Sequence, residues 1–341
     1  MAPIEYLDFA QYWSAAKLIL AGQNPYDTQN IFNLEQTITS LSAPIQSPVI
    51  MWNPPLVILF IIWLGFFNFS TASTLWFVLS CIGIASSIYI ILSTQEIKIN
   101  TKIVLAIVSF QSIMTMFFWG QITFIPLFGL SLFYYGIKRN AHLLAGIALS
   151  FTLIKPHLLY LFYLSLFIAL PYRTYKKFWL GLIGGFLLLA LAPLAIYSHV
   201  WLDWFNKIDA PPLYWQTPTI GSFLQGYIGV DVHWVRYLPS FIVLAIFLST
   251  YTRPFWKDSL ALIPLSLVTS PYGWLYDQAL LLPTIFMLVS SGPIVIWLSA
   301  LVLSAITLLP TVTEQQYFVW YPACIFALAL LERFKYSASK H

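Results

Sequence analysis

Long apolar runs alternate with short polar clusters along the whole chain. No charged residue falls between Glu35 and Glu96, from Ile103 to Ile137, or from Gln278 to Thr313. Each run exceeds the roughly 20 residues that one helical membrane crossing needs. Prolines, glycines and polar clusters divide these runs further. The predicted segments are 54–69, 71–93, 103–119, 121–137, 142–155, 158–172, 178–199, 235–251, 259–270, 275–290, 293–309 and 318–332. Several are short for a full crossing and are expected to be tilted partners, broken helices or re-entrant pieces. The pattern predicts an all-α, polytopic integral-membrane helical bundle of about 10–12 membrane segments. It reads as a single domain over 1–341.

Where the bases lie gives an orientation. Five polar turns hold Lys98/Lys102, Lys138/Arg139, Arg173/Lys176/Lys177, Arg253/Lys257 and Arg333/Lys335/Lys340, with only Glu96, Asp258 and Glu332 as acids. The positive-inside rule makes these turns cytoplasmic. Segments 1–52 and 201–233 then face outward, as do the breaks at Gly120, Pro156 and Pro271. Both long outward segments carry acids, and 201–233 is rich in Trp and Tyr, the rings expected at headgroup level. The expected location is the plasma (inner) membrane, multi-pass, with the working face toward the periplasm or exterior.

One crossing count conflicts with this arrangement. Segments 54–69 and 71–93 are two crossings, yet 1–52 outside and 94–102 inside require an odd number. The first segment opens with Asn53-Pro54-Pro55 and is the candidate for a re-entrant piece; otherwise 94–102 is not cytoplasmic.

Composition narrows the class. Apolar types make up 60% of the 341 residues and charged types only 8%, where a soluble chain carries about 25%. That excludes an ordinary soluble enzyme and a disordered chain. The net charge of +4 is scattered rather than clustered, which argues against a nucleic-acid partner. Cys81 and Cys324 lie in apolar stretches and suggest neither a disulfide framework nor a metal knuckle. The five histidines have no metal-ligand spacing, and no Gly-rich phosphate loop opens a helix. No metal and no cofactor are predicted.

A few polar residues sit where chemistry is plausible, each with a plainer alternative. Asp8 precedes a possible amphipathic helix in which Phe9, Trp13, Ala16 and Leu20 recur at spacings of three and four. Such a helix would lie on the bilayer and hold Asp8 at the lipid boundary, as a general base or as a helix N-cap. Lys155, between Leu153-Ile154 and Pro156, is a charge at the end of an apolar span. It is either a functional cation or a lysine snorkelling to the interface. His157 would help bind the same anion or cap the break. Arg236 offers a bidentate phosphate contact or a headgroup anchor. Gln121 after Gly120, and Asn53, would orient a substrate hydroxyl or bond one helix to another. Tyr272 and Asp277 flank the Pro271/Gly273 break. Asp277 would bind an acceptor, pair with Lys155, or favour its own helix N-terminus.

The order of short motifs adds a resemblance. Asp8-Phe9-Ala10-Gln11-Tyr12-Trp13 leads to Leu20-Ala21-Gly22-Gln23-Asn24-Pro25-Tyr26-Asp27. Asn53-Pro54-Pro55, Gly120-Gln121, Ala145-Gly146, Lys155-Pro156, Ser270-Pro271-Tyr272-Gly273-Trp274 and Leu280-Leu281-Leu282-Pro283 follow in turn. The chain resembles the membrane glycosyltransferases of family 87, which include polyprenyl-phosphate-mannose-dependent α-mannosyltransferases. The resemblance implies a GT-C-like fold and no cofactor. It implies transfer of a hexose, with mannose the expectation, from a polyprenyl-phosphate sugar donor to a lipid or glycan acceptor at the outer face. It further implies inversion, Asp8 as base and Lys155 near the donor phosphate. Members usually carry a transmembrane helix before the Asp-Phe block, so a preceding first helix is expected to be missing here. A polytopic transporter or lipid flippase is the competing class, and a non-catalytic membrane scaffold a third. A transporter would place ionisable residues at the midplane in repeated halves, and no repeat is evident.

Overall fold

The structure is a computed structural model; it describes residues 7–39, 45–208, 214–253, 258–307 and 315–338. The α-helices in chain order are α1 (Leu7–Leu20), α2 (Thr28–Glu35), α3 (Ile58–Ile61), α4 (Phe69–Gln95), α5 (Thr101–Val108), α6 (Gln111–Trp119), α7 (Phe124–Lys138), α8 (His142–Ser150) and α9 (Tyr160–Ala169). They continue as α10 (Lys176–Ile196), α11 (Val200–Ile208), α12 (Ile220–Ile228), α13 (Leu238–Thr250), α14 (Ser259–Thr269), α15 (Leu282–Ser291), α16 (Ile294–Ile306) and α17 (Trp320–Ala338). Short 3₁₀ turns join several of them, and no strand occurs among the described residues. The all-α expectation holds.

Among the described residues three stretches, Phe69–Gln95, Lys176–Ile196 and His233–Thr250, are long and apolar enough to cross a membrane. Helices α5 and α6 make a fourth if taken as one span bent by 41°. Eight further apolar helices are shorter, at 10–17 residues. The stretch after Asn53-Pro54-Pro55 is one of these. It runs only Pro55–Phe66 and is broken into a 3₁₀ turn, the single turn of α3 and a second 3₁₀ turn. At about 1.5 Å per residue it falls well short of the roughly 30 Å hydrocarbon core.

The chain divides into two compact units. The first comprises Met1–Ser87, Thr115–Lys155 and Lys177–Pro211. At its centre is α1, and here the sequence expectation needs correcting. A helix does form over nearly the predicted residues, but it is not a surface helix with one apolar face. Phe9, Ala10, Tyr12, Ala15, Ala16, Leu18 and Ile19 are all buried, as are Gln11 and Ser14. The i, i+3, i+4 spacing is real, but most of the intervening positions, Ala10, Tyr12, Ser14, Ala15, Leu18 and Ile19, are apolar or small as well and are buried, and a helix with apolar residues around most of its circumference is an interior one.

Aromatic rings hold α1 in place. Phe9 meets Phe69 and Trp76 with centroids 5.5 and 5.8 Å apart, and Trp13 meets Phe69 edge-on at 5.5 Å. Trp76 then packs edge-on against Phe124 of α7 at 5.1 Å. Trp13 Nε1 donates to the Phe67 carbonyl at 3.1 Å. Close helix approach elsewhere in this unit relies on glycine. A Cβ on Gly146 of α8 would collide with the Phe178 carbonyl of α10, and one on Gly181 of α10 with the Leu143 carbonyl of α8. Small residues at crossings let backbones approach, the usual device for packing helices in lipid.

The second unit comprises Ile88–Met114, Pro156–Lys176 and Pro212–His341. Helix α14 is its core element, buried along most of its length and packed on α9 and α17. Leu161, Phe247 and Leu262 form a cluster within it. The exposed side of α13 is apolar, with Phe241, Ile242, Ile246 and Leu248 on the surface.

Candidate active site

Two helix breaks in the first unit deliver polar side chains to α1. Helix α6 ends at Gly120, which takes a left-handed φ of 68°. The Gln121 N–H reaches back to the Met116 carbonyl at 3.0 Å and the Gly120 N–H to Phe117 at 3.3 Å, a Schellman closure that glycine permits at low cost. Trp76 Nε1 pins the same turn by donating to the Gly120 carbonyl at 2.8 Å. The second break is at Lys155. A residue before proline is pushed out of the α region, and Lys155 has φ −138° and ψ 64°. The break turns its side chain away from the preceding helical turn.

The two breaks and α1 converge. Gln121 Nε2 donates to Asp8 Oδ2 at 2.6 Å, across 113 positions of sequence. Gln121 Oε1 accepts from the Tyr12 hydroxyl at 3.0 Å and from Lys155 Nζ at 3.4 Å. Lys155 Nζ also donates to Thr123 Oγ1 at 3.3 Å. One amide thus joins a carboxylate to an ammonium. Asp8 and Tyr12 share a face of α1 because they are four residues apart. Asp8 lies inside the first turn of α1 rather than at an N-cap. Lys155 is only 8% exposed, so its ammonium is turned into the unit rather than snorkelling outward.

Asn53 supports the Lys155 break. Its Nδ2 donates to the Ile154 carbonyl at 3.3 Å, and its own carbonyl accepts from the Tyr26 hydroxyl at 3.1 Å. The segment carrying Asn53 is clamped by α11. Trp204 Nε1 donates to the Trp52 carbonyl at 3.2 Å. Lys207 Nζ donates to Thr28 Oγ1 at 2.6 Å and lies 5.5 Å from the centre of the Trp52 ring. Burial pulls the Lys207 ammonium below its ordinary pKa, against the nearby Asp27 charge that holds it up.

A buried acid lies close by in α2. Glu35 accepts the Val49 N–H on Oε2 at 3.0 Å, while Oε1 is buried with no hydrogen-bond partner among the described residues. Burial pushes its carboxyl from the ordinary 4.5 up to about 8, and the Val49 N–H opposes this only in part. Asp27 caps α2, accepting the Asn30 N–H at 2.7 Å, the turn role its Pro-Tyr-Asp context suggests.

The remaining predicted residues belong to the second unit. His157 lies in a 3₁₀ turn, Pro156–Leu159. Asp277 is buried and accepts the Trp274 N–H at 3.0 Å, the helix-start role. Arg236 is only 1% exposed and is therefore no headgroup anchor at the surface. Its guanidinium carbon lies 4.7 Å over the Tyr272 ring. Among the described residues no three His, Cys, Asp or Glu side chains are grouped to hold a metal ion.

Asp8, Gln121 and Lys155 are thus brought together, with Asn53 beside them. Tyr12, Thr123 and the α11 clamp were not singled out from sequence. Tyr12 carried a signal in its i+4 spacing from Asp8; the clamp, formed by residues distant in sequence, carried none.

A family model described as glycosyltransferase family 87 matches residues 52–276. The chain belongs to glycosyltransferase family 87. The match covers Asn53, Gln121, Lys155, His157, Arg236 and Tyr272, whereas Asp8 and Asp277 lie outside it. The protein is therefore a glycosyltransferase with membrane-type helices. No curated protein and no solved structure matches it.

Proposed function

We propose that this family 87 glycosyltransferase moves a hexose, with mannose the expectation, from a polyprenyl-phosphate carrier to a hydroxyl of a lipid or glycan acceptor. The observation that carries the reading is the convergence of Asp8 and Lys155 on the two ends of the Gln121 amide. The acceptor oxygen attacks C1 of the sugar while the C1–O bond to phosphate breaks. The bonding pair leaves with the phosphate, which departs as polyprenyl monophosphate, and the acceptor proton passes to the Asp8 carboxylate. A single displacement inverts C1. General-base help of this kind is worth roughly 10²–10⁴-fold.

The departing phosphate gains negative charge, and Lys155 supplies a compact positive charge to meet it. A buried site strengthens that attraction relative to water. Two of the contacts that hold Nζ, at 3.3 and 3.4 Å, are long against a usual 2.9–3.0 Å. Gln121 holds the base and cation in register.

The working face is the outer side of the plasma membrane. With Pro55–Phe66 too short to cross, Phe69–Gln95 is the one full span between residues 1–52 and 94–102. That odd number of crossings fits an outward N-terminal segment and a cytoplasmic Lys98/Lys102 turn. The test is Asp8→Asn in membranes supplied with polyprenyl-phosphate mannose and extracted acceptor lipids or glycans. The substitution preserves shape and the contact with Gln121. Transfer should fall at least a hundredfold at unchanged protein level. Transfer within a few-fold of wild type would remove Asp8 from the reaction.

A further inference from the structure

Only Tyr197, Ser198 and His199 separate α10 from α11. Helix α10 is long and apolar enough to cross a membrane, so α11 starts at a membrane surface. It does not run straight on from the span. Trp201 Nε1 donates to the Ala190 carbonyl at 2.8 Å, about 9 Å back along the axis from the end of α10. The start of α11 is therefore folded down beside the last turns of the span, turns that also expose Leu188 and Leu191.

The two sides of α11 do different work. Val200, Trp204 and Lys207, spaced four and three apart, share one side. Val200 is fully buried, Trp204 Nε1 bonds the Trp52 carbonyl, and Lys207 lies against the Trp52 ring and bonds Thr28. Leu202 and Phe205 stand on the other side, 57% and 54% exposed. The charges of the helix avoid that side: Lys207 turns inward, and the half-buried Asp203 is hydrogen-bonded to the Tyr197 hydroxyl. Stacked rings join the two sides, because Phe205 packs on Trp204 at 5.0 Å and on Trp201 at 6.2 Å. A short helix with an apolar, uncharged outer face at the end of a membrane span is built to lie in the interface.

We propose that α11 is an interfacial helix whose Leu202 and Phe205 insert among lipid chains at the surface where α10 ends, and that this docking holds Trp52 and Asn53 in place behind Lys155. The partner is the bilayer itself, and with no charge on the inserted face it needs no anionic headgroup. Asn53 braces the Ile154 carbonyl, so a loosened α11 loosens the Lys155 break. That consequence for transfer rests on the role given to Lys155 above; the docking does not.

The experiment uses the whole chain with Cys81→Ala, Cys324→Ala and Phe205→Cys, an environment-sensitive fluorophore on the new thiol, in phosphatidylcholine vesicles. A nitroxide on the lipid chain just below the headgroup should quench the label several-fold more than a water-soluble nitroxide does, with or without added phosphatidylglycerol. Stronger quenching from the water would overturn the docking, and quenching by lipid only when phosphatidylglycerol is present would overturn the uncharged mode of insertion. Without the label, Leu202→Gln with Phe205→Gln should lower kcat for transfer about tenfold, as displaced catalytic groups do, while Leu202→Met with Phe205→Met should keep it. Equal losses in both pairs would mean that shape, not lipid contact, matters and would overturn the proposal. Trp204→Phe keeps a ring but loses the donor to Trp52. It should lower transfer similarly while the Phe205→Cys label stays quenched by lipid, and it tests the clamp even if the glutamine pair folds poorly. Full transfer in Trp204→Phe would overturn the coupling. Quenching is read without substrate, so its failure is distinct from that of Asp8, whose own test is transfer.

Discussion

The Gln121 amide donates to the Asp8 carboxylate at 2.6 Å, short for an N–H···O contact and typical of one made to a charged oxygen. Because Nε2 faces the carboxylate, Oε1 must face the other way, toward Tyr12 and Lys155. A flipped amide would set its NH₂ against an ammonium and its oxygen against a carboxylate, so the charges on either side fix the orientation.

Gln121→Leu should therefore damage transfer without destroying the fold. It keeps the volume but leaves Asp8, Tyr12 and Lys155 without their shared partner. The expected result is a 10- to 100-fold drop in kcat, the scale of losses for misplaced catalytic groups. Tyr12→Phe removes only one of the two donors to Oε1 and should cost about 1 kcal/mol of stability, with activity reduced a few-fold. Steady-state transfer rates and thermal melts in detergent separate the two. Equal activity losses in both variants would mean that Gln121 acts only through Tyr12.

Much of this site was legible because its principal members interrupt strong local patterns. Asp8 opens a helix, Gln121 follows a glycine break, and Lys155 precedes proline inside an apolar run. What the pattern could not give is the surroundings. The Phe9/Trp13/Ala16/Leu20 spacing suggested a helix lying on the bilayer. Only packing against Phe69, Trp76 and Phe67 shows that the other faces are buried too. Arg236 at the start of an apolar span looked like a surface anchor, since the basic side chain that snorkels and the one that is enclosed occupy the same sequence context. Asp277 accepts the Trp274 N–H, a contact that its place before an apolar helix suggested.

Glu35 should make the stability of the first unit depend on pH. Its folded pKa of about 8 lies above the ordinary 4.5, so the folded state holds a proton that the unfolded state releases. Its contribution is greatest below pH 4.5, declines as pH rises toward 8, and levels off above that. Glu35→Gln should remove this slope and raise the melting temperature at pH 8, because a neutral amide can still accept from Val49. Melts from pH 4 to 9 check the sign. A wild-type profile that rises between pH 5 and 8 and is unchanged by Glu35→Gln would contradict it.

The glycines of α10 offer a paired test of packing. A Cβ at Gly181 meets the α8 backbone, whereas one at Gly184 meets nothing within 4 Å. Gly181→Ala should destabilise by about 1–3 kcal/mol, the range for overpacking. Gly184→Ala should stabilise by about 0.5–1 kcal/mol, since alanine is the better helix former. Both are read as shifts in melting temperature, and shifts of the same sign would mean that α8 and α10 are not packed at this crossing.

Lys155 distinguishes a phosphate-binding cation from a buried structural lysine. A purely structural lysine would cost stability when replaced by an apolar side chain, because removing one partner of a buried polar network leaves the others unsatisfied. Lys155→Met should therefore lower transfer by far more than its shift in melting temperature accounts for. The loss should appear mainly as a higher KM for the polyprenyl-phosphate donor if the ammonium binds the ground-state phosphate, and in kcat as well to the extent that it stabilises the departing dianion. Lys155→Arg keeps the charge but carries a planar fork where the pocket holds a point charge, next to Gln121 Oε1 and Thr123 Oγ1. It should restore less than a tenth of the activity. Full activity in Lys155→Met would remove the phosphate role and leave Asp8 and Gln121 to act without it.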